Sequence, residues 1–208
     1  MPVTLLSMAK KTSRYTPIPQ QDPSVRVVSS RITYEAPVFY VTSEQVVEPS
    51  GKQVRRDLIR HPGSVVIMAL DESRENAPRV LLIRQYRYAA GQSLWEFPAG
   101  RIDEGESALA AAKRELAEET GYSAREWKQA LFFYASPGFM DETMAIYLAR
   151  DLVRGRATPE DDEEISSRLF PIEAAVKLVM NGKIPDGKTI AGVLWLAQKF
   201  SAQKLKRN

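Results

Sequence analysis

From residue 107 to residue 120 the chain carries neither glycine nor proline, and Ala110, Ala111 and Ala112 stand in a row. That stretch predicts a helix, and Gly121 supplies its C-terminal stop. The surroundings follow a different rule. Residues 38–47 and 54–60 are β-rich and flank a Pro-Ser-Gly-Lys turn at 49–52, which predicts a hairpin. Residues 64–70, 79–87, 127–135 and 144–152 read as further strands, and 172–181 and 189–206 as helices. There is no internal repeat. One helix set inside a run of strands, with helices closing the chain, predicts an α+β fold. It would be a mixed β-sheet layered between helices, with a small N-terminal antiparallel β-sheet, rather than a doubly wound parallel sheet.

A chain of 208 residues with 44% hydrophobic content can bury roughly 70% of its unfolded surface. Residues 1–30, rich in Pro, Ser and Gln, are expected to form a flexible arm. Residues 31–60 are expected to form the hairpin or sheet region, and 61–208 the main domain. No apolar run approaches the ~20 residues of a membrane helix, and no apolar core follows the basic start as in a signal peptide. The chain has no cysteine, which excludes disulfides, thiolate nucleophiles and zinc–thiolate sites and favours a cytoplasmic setting. The net charge of +3 comes from the ends. Lys10, Lys11, Arg14 and Arg26 lie at one end, and Lys199, Lys204, Lys206 and Arg207 at the other, leaving an acidic body. Neither a nucleic-acid partner, which would want a basic stripe on the body, nor a membrane partner is expected.

The chemistry concentrates between Gly100 and Tyr122. On a helix, Glu115, Glu118 and Glu119 fall at i, i+3 and i+4 and share one face. Like charges so placed cost a few tenths of a kcal/mol per pair, and a cation reverses that sign. Hard carboxylate oxygens suit Mg²⁺ or Mn²⁺. A solvated Lys-Arg-Glu surface would explain the charges but not the glycines that bracket them. Gly100, Glu106, Arg114, Glu115, Glu118, Glu119 and Gly121 stand at the seven fixed positions of the Nudix box, which this stretch resembles. Leu116 fits an aliphatic position, and Tyr122 departs from the usual Ile, Leu or Val.

The resemblance implies a Nudix-like fold and hydrolysis of a nucleoside diphosphate linked to another group, with roughly two or three Mg²⁺ or Mn²⁺ ions. It implies Glu115, Glu119, Glu118 and the Ala99 carbonyl as metal ligands. It makes Arg114 the residue that orients the glutamates, Glu106 the brace of the loop, and Gly100 and Gly121 the positions that allow the turns. The flanks Arg84-Gln-Tyr-Arg87, 94–100 and Ser136-Pro-Gly-Phe139 resemble the ADP-ribose pyrophosphatase branch, in which a proline such as Pro137 stands 16 residues beyond the second box glycine. The acidic run 160–165 and the segment 182–190 resemble it too.

The implied reaction is Mg²⁺-dependent conversion of ADP-ribose to AMP and ribose 5-phosphate. GDP-mannose or another nucleotide sugar, or non-catalytic sensing of ADP-ribose, are the alternatives. In that branch a mobile acidic loop supplies the general base. Glu163 is the first candidate here, Glu164 and Asp161 follow, and Glu142 is a rival. Arg87 is a candidate phosphate contact, because a guanidinium offers a two-pronged fork to phosphate oxygens. Phe39 or Tyr40 is a candidate adenine platform; as alternating strand residues only one of them could serve. The branch also implies a homodimer that exchanges its N-terminal sheets. His61, the only histidine, reads as a turn residue, and Trp95 and Trp195 as core.

Overall fold

A computed structural model of the protein describes residues 22–74, 77–157 and 165–205. β4 (Ser64–Asp71) explains the architecture, because it is buried on both faces. Val66, Met68 and Leu70 point into one core cluster, and Val65, Ile67 and Ala69 into another. A strand buried twice has no polar side to show, so its sequence is a continuous apolar run.

The larger sheet has seven strands, and its central order is β10 (Ser166–Pro171), β5 (Arg79–Arg87), β4, β9 (Thr143–Arg154), β8 (Tyr122–Tyr134). β6 (Gln92–Glu96) pairs with β5, and β7 (Ala99–Arg101) with β4. The pair β4–β9 is parallel and the remaining pairs are antiparallel.

Helix α1 (Ala108–Thr120) covers one face through Ala108, Ala111, Ala112 and Leu116. The small residues let the helix lie close to the sheet. Helices α2 (Ile172–Met180) and α3 (Gly187–Leu205) cover the other through Ile172, Ala175, Val193 and Leu196. This is an α+β mixed sheet between helices. Trp95 and Trp195 pack against the α2–α3 cluster. Among the described residues no helix is long and apolar enough to cross a membrane.

The smaller sheet is antiparallel, in the order β1 (Arg26–Glu35), β2 (Tyr40–Val47), β3 (Gln53–Arg60). It has one strand more than the hairpin read from the sequence, and β1 begins inside the stretch expected to be an arm. The reason is physical: every residue of β1 is exposed, so neither face shows the apolar alternation by which a strand is recognised. β10 is equally short of signal, and β8 starts at Tyr122, ahead of the apolar run that announced it. Phe39 lies in the connection between β1 and β2 rather than in a strand, so strand alternation does not govern it.

Three local devices set the helices. Ser107 caps α1 by accepting the Ala110 N–H at 3.1 Å. Gly121 ends α1 in the left-handed conformation at φ 71°, and a Cβ there would lie 2.5 Å from the Ala157 nitrogen. Asp186 caps α3 through the Thr189 N–H at 3.0 Å and hydroxyl at 2.6 Å. The Thr189 oxygen in turn accepts the Phe97 N–H at 2.8 Å.

Phe97 is fully buried against α3, where Gly192 leaves the room it needs. Phe97→Ala is expected to cost about 3–5 kcal/mol. Urea unfolding of the two proteins checks this, and a loss under ~1 kcal/mol would mean that the layer collapses onto the gap.

Candidate active site

β7 runs beside the start of β4, with Ala99 opposite Val66 and Gly100 opposite Val65. The chain then turns through residues 102–107, pinned by the Ile102 N–H on the Gly63 carbonyl at 3.1 Å. α1 returns over β7 and lays its glutamates against the Ala99–Gly100 backbone. Glu119, nearly buried, accepts the Ala99 N–H at 3.2 Å. The Glu115 carboxylate occupies the place where a Cβ on Gly100 would be, with its atoms 2.0–2.4 Å from that position. Gly100 is therefore a glycine because a carboxylate approaches its α-carbon. Its backbone is ordinary, and only Gly121 of the two supplies a left-handed turn.

Arg114 connects these parts. Its Nε and Nη2 donate to the two oxygens of Glu106 at 3.1 and 3.0 Å, and Nη2 also donates to the Arg101 carbonyl at 3.1 Å. Its Nη1 donates to Glu115 at 2.7 Å and to Glu118 at 3.1 Å. One nitrogen thus draws two like-charged carboxylates together. The bonds from Arg114, outweighing the effect of burial, hold the Glu106 carboxyl below its usual range. Its bonds to Glu106, joined by those to Glu115 and Glu118, raise the Arg114 guanidinium well above its ordinary value.

Among the described residues no group of three or more His, Cys, Asp or Glu stands arranged as it is to hold a metal. The donor chemistry nonetheless fits a hard divalent ion. The acids on this face are carboxylates, each with about four lone-pair sites, so bonds to Arg114 and Ala99 leave acceptor capacity. The missing Cβ of Gly100 opens the backbone beside Glu115.

Arg87, expected to face a phosphate, is engaged in the protein itself. Its Nε and Nη2 donate to the two oxygens of Glu96 at 2.8 and 3.0 Å. Burial works against its charge, but the bonds and charge of Glu96, with Glu119 and Asp186 nearby, raise its pKa above the ordinary value. Glu96 is fully buried and also takes the Lys188 ammonium at 2.5 Å, which a second carboxylate, Asp186, holds at 2.9 Å. Sequence reading missed Glu96, Lys188 and Asp186 as a group. The one available signal was an acid inside the apolar run Leu-Trp-Glu-Phe; nothing local tied it to a lysine 92 positions away.

Glu142 accepts the Ser64 hydroxyl at 2.7 Å. The His61 Nδ1 lies 3.8 Å from it but accepts the Gly63 N–H at 3.1 Å, which makes His61 the closure of its own turn. Burial holds His61 below its ordinary pKa, against the pull of Glu142 and Asp141. Pro137 lies in the turn closed by the Phe139 and Met140 N–H groups on the Ser136 carbonyl. That turn is sewn to β3 by Ile59 N–H on Phe139 O and Asp141 N–H on Ile59 O. Arg60 adds bonds to Asp141 at 3.1 Å and Glu44 at 2.8 Å.

Phe39 stacks at a tilt with Tyr34, centroids 6.2 Å apart, and Tyr40 opens β2 opposite Arg60. The Arg101 guanidinium donates to the Pro37 carbonyl at 3.3 Å, which ties the Phe39 connection to β7. Glu163, Glu164 and Asp161 lie outside the described residues. The chain leaves for that segment from Gly155, whose N–H bonds the Gly121 carbonyl at 2.7 Å, and re-enters at β10 beside β5.

A NUDIX domain model matches residues 60–192. The chain is 36% identical over 171 residues to an ADP-ribose pyrophosphatase of Mycobacterium tuberculosis, covering 80% of each chain. It is 30% identical over 183 residues to an ADP-ribose pyrophosphatase of Bacillus subtilis, covering 87% of this chain and 97% of that one. It is also 30% identical over 173 residues to a methanol dehydrogenase activator of Bacillus methanolicus, covering 82% and 91%. A crystal structure described as an ADP compounds hydrolase superposes with a TM-score of 0.71 at 22% identity, over 86% of this chain and 95% of that one. That last likeness concerns the fold.

Gly100→Ala is expected to cost about 1–3 kcal/mol, because the new methyl overpacks against the Glu115 carboxylate. Adding Glu115→Ala should restore most of that loss. Thermal unfolding of both variants is the check, and a double variant no more stable than the single one would rule out the close approach as the cause.

Proposed function

We propose that this chain, which belongs to the Nudix family, is a hydrolase of nucleoside diphosphate sugars that cleaves ADP-ribose to AMP and ribose 5-phosphate. The observation that carries the reading is the placing of Glu119 on the Ala99 N–H and of Glu115 on the Gly100 α-carbon, with Glu118 joined to Glu115 through Arg114. The two relatives named ADP-ribose pyrophosphatases support the choice of substrate.

Glu115, Glu118, Glu119 and the Ala99 carbonyl would hold the divalent ions, Mg²⁺ or Mn²⁺, roughly two or three in number. When bound, such ions neutralise the diphosphate and lower the pKa of an attacking water. Arg114 keeps the carboxylates converged and Glu106 keeps Arg114 in place, while Gly100 and Gly121 admit the close approaches on either side of the helix. Arg87 offers its fork to a phosphate. Phe39 or Tyr40 offers a ring to adenine, on a connection that Arg101 holds to β7. The proton from water goes to Glu163, or to Glu164 or Asp161 beside it. The chain leaves for the segment that carries them after β9, where the Gly155 N–H bonds the Gly121 carbonyl at the end of α1. Glu142, already bonded by Ser64, is the second choice.

The protein works as a homodimer in which the N-terminal sheets are exchanged, in the cytoplasm, without nucleic-acid or membrane partners. The fully exposed β1, with Val27, Val28, Ile32 and Tyr34 uncovered, supports a second copy as its cover, since an open apolar edge is a template for pairing.

Product analysis tests the reaction. With Mg²⁺ the protein should release AMP and ribose 5-phosphate from ADP-ribose, and a chelator should stop it. Glu119→Gln should lower kcat by about 10²–10³-fold. Preferred turnover of GDP-mannose would move the substrate elsewhere, and tight ADP-ribose binding without any turnover would point to a sensor. Light scattering should return twice the chain mass; a fully active monomer would remove the exchanged sheet from the reading.

A further inference from the structure

Glu96 is a fully buried carboxylate shared by two cations that differ in exposure. Lys188 is enclosed, with 12% of its side chain exposed. It is fixed from behind by Asp186, whose other oxygen is committed to the start of α3. Arg87 has 38% of its side chain exposed and senses the charge of Glu119 on the metal-binding helix. Its Nε–Nη2 fork is spent on Glu96. To aim that fork at a phosphate, Arg87 has to leave Glu96. A buried carboxylate does not release its partner if the departure strands it alone.

We propose that Lys188 is a positioning residue: by remaining on Glu96 it frees Arg87 to turn from Glu96 to a phosphate of the substrate. The inference rests on reading the site as that of a diphosphate hydrolase. The four charges Arg87, Lys188, Glu96 and Asp186 cancel before substrate arrives. When Arg87 turns outward, Glu96 and Asp186 still have the Lys188 ammonium between them, so no buried acid is left bare. Without that ammonium, Glu96 holds Arg87 as its one remaining cation of the four. Lys188 then acts on substrate through Glu96 and Arg87 and touches neither phosphate nor metal.

The test combines two readouts: calorimetric binding of inorganic pyrophosphate in a metal chelator, and steady-state hydrolysis of ADP-ribose with Mg²⁺. Lys188→Met should weaken pyrophosphate binding and raise KM by about tenfold, the size of one charge-assisted bond, with the loss falling on KM rather than kcat. Lys188→Arg, which keeps a cation on Glu96, should recover most of that loss. In a Glu96→Gln protein, where the forked ion pair no longer retains Arg87, Lys188→Met should change neither value by more than about twofold. The folding of Lys188→Met is protected because Glu96 keeps Arg87.

An unchanged KM and pyrophosphate affinity in Lys188→Met would overturn the proposal. So would a loss of the same size in the Glu96→Gln protein, since Lys188 would then act through its own charge. A wild-type protein that leaves ADP-ribose intact sinks the substrate reading instead, and the pyrophosphate cycle still decides the role of Lys188.

Discussion

The guanidinium of Arg114 is the point on which the site turns. Three carboxylates within one turn and a half of a helix repel one another and would splay into solvent if nothing opposed them. Arg114 holds Glu115 and Glu118 with two bonds from a single nitrogen while the Ala99 N–H holds Glu119, and Arg114 is itself fixed by the forked bond to Glu106 and by the Arg101 carbonyl. Those anchors come from the loop before the helix and from the end of β7. The loop, the helix and β7 are therefore bonded to one another through Arg114 and Glu119.

The core makes those bonds possible. α1 is seated on the sheet by alanines and Leu116, which bring its backbone close enough for Glu119 to reach the Ala99 N–H and for Glu115 to lie on Gly100. Bulkier residues on that face would lift the helix and its acids away from β7. The same close packing recurs on the far face, where Gly192 admits Phe97. Phe97 follows Glu96 directly, so the packing that buries one also buries the other. The α3 cap at Asp186 serves both layers: it orders the helix start and fixes Lys188 against Glu96.

The acids of α1 were legible because a helix converts spacing into position. Residues at i, i+3 and i+4 share a face whatever surrounds them, so Glu115, Glu118 and Glu119 could be placed together from their numbers alone. The strands of the larger sheet were legible for a related reason: burial on one or both faces leaves a mark in hydrophobicity. β1 has no buried face and carries no such mark. Gly100 was legible as a motif position but its reason was not, since the carboxylate on its α-carbon comes from 15 residues further along and from another element.

The sequence by itself determined the α+β class, the position and face of the acidic helix, and the family to which the chain belongs, because these follow from periodicity and from residues close together in the chain. Only the tertiary structure decided what Arg87 bonds to, that Glu96 is shared with Lys188, and that the turn containing Pro137 is sewn to the N-terminal sheet. Those pairings join residues from different elements, one pair of them 92 positions apart. Local propensity carries no information about such partners; the register of the strands and the seating of the helices place them.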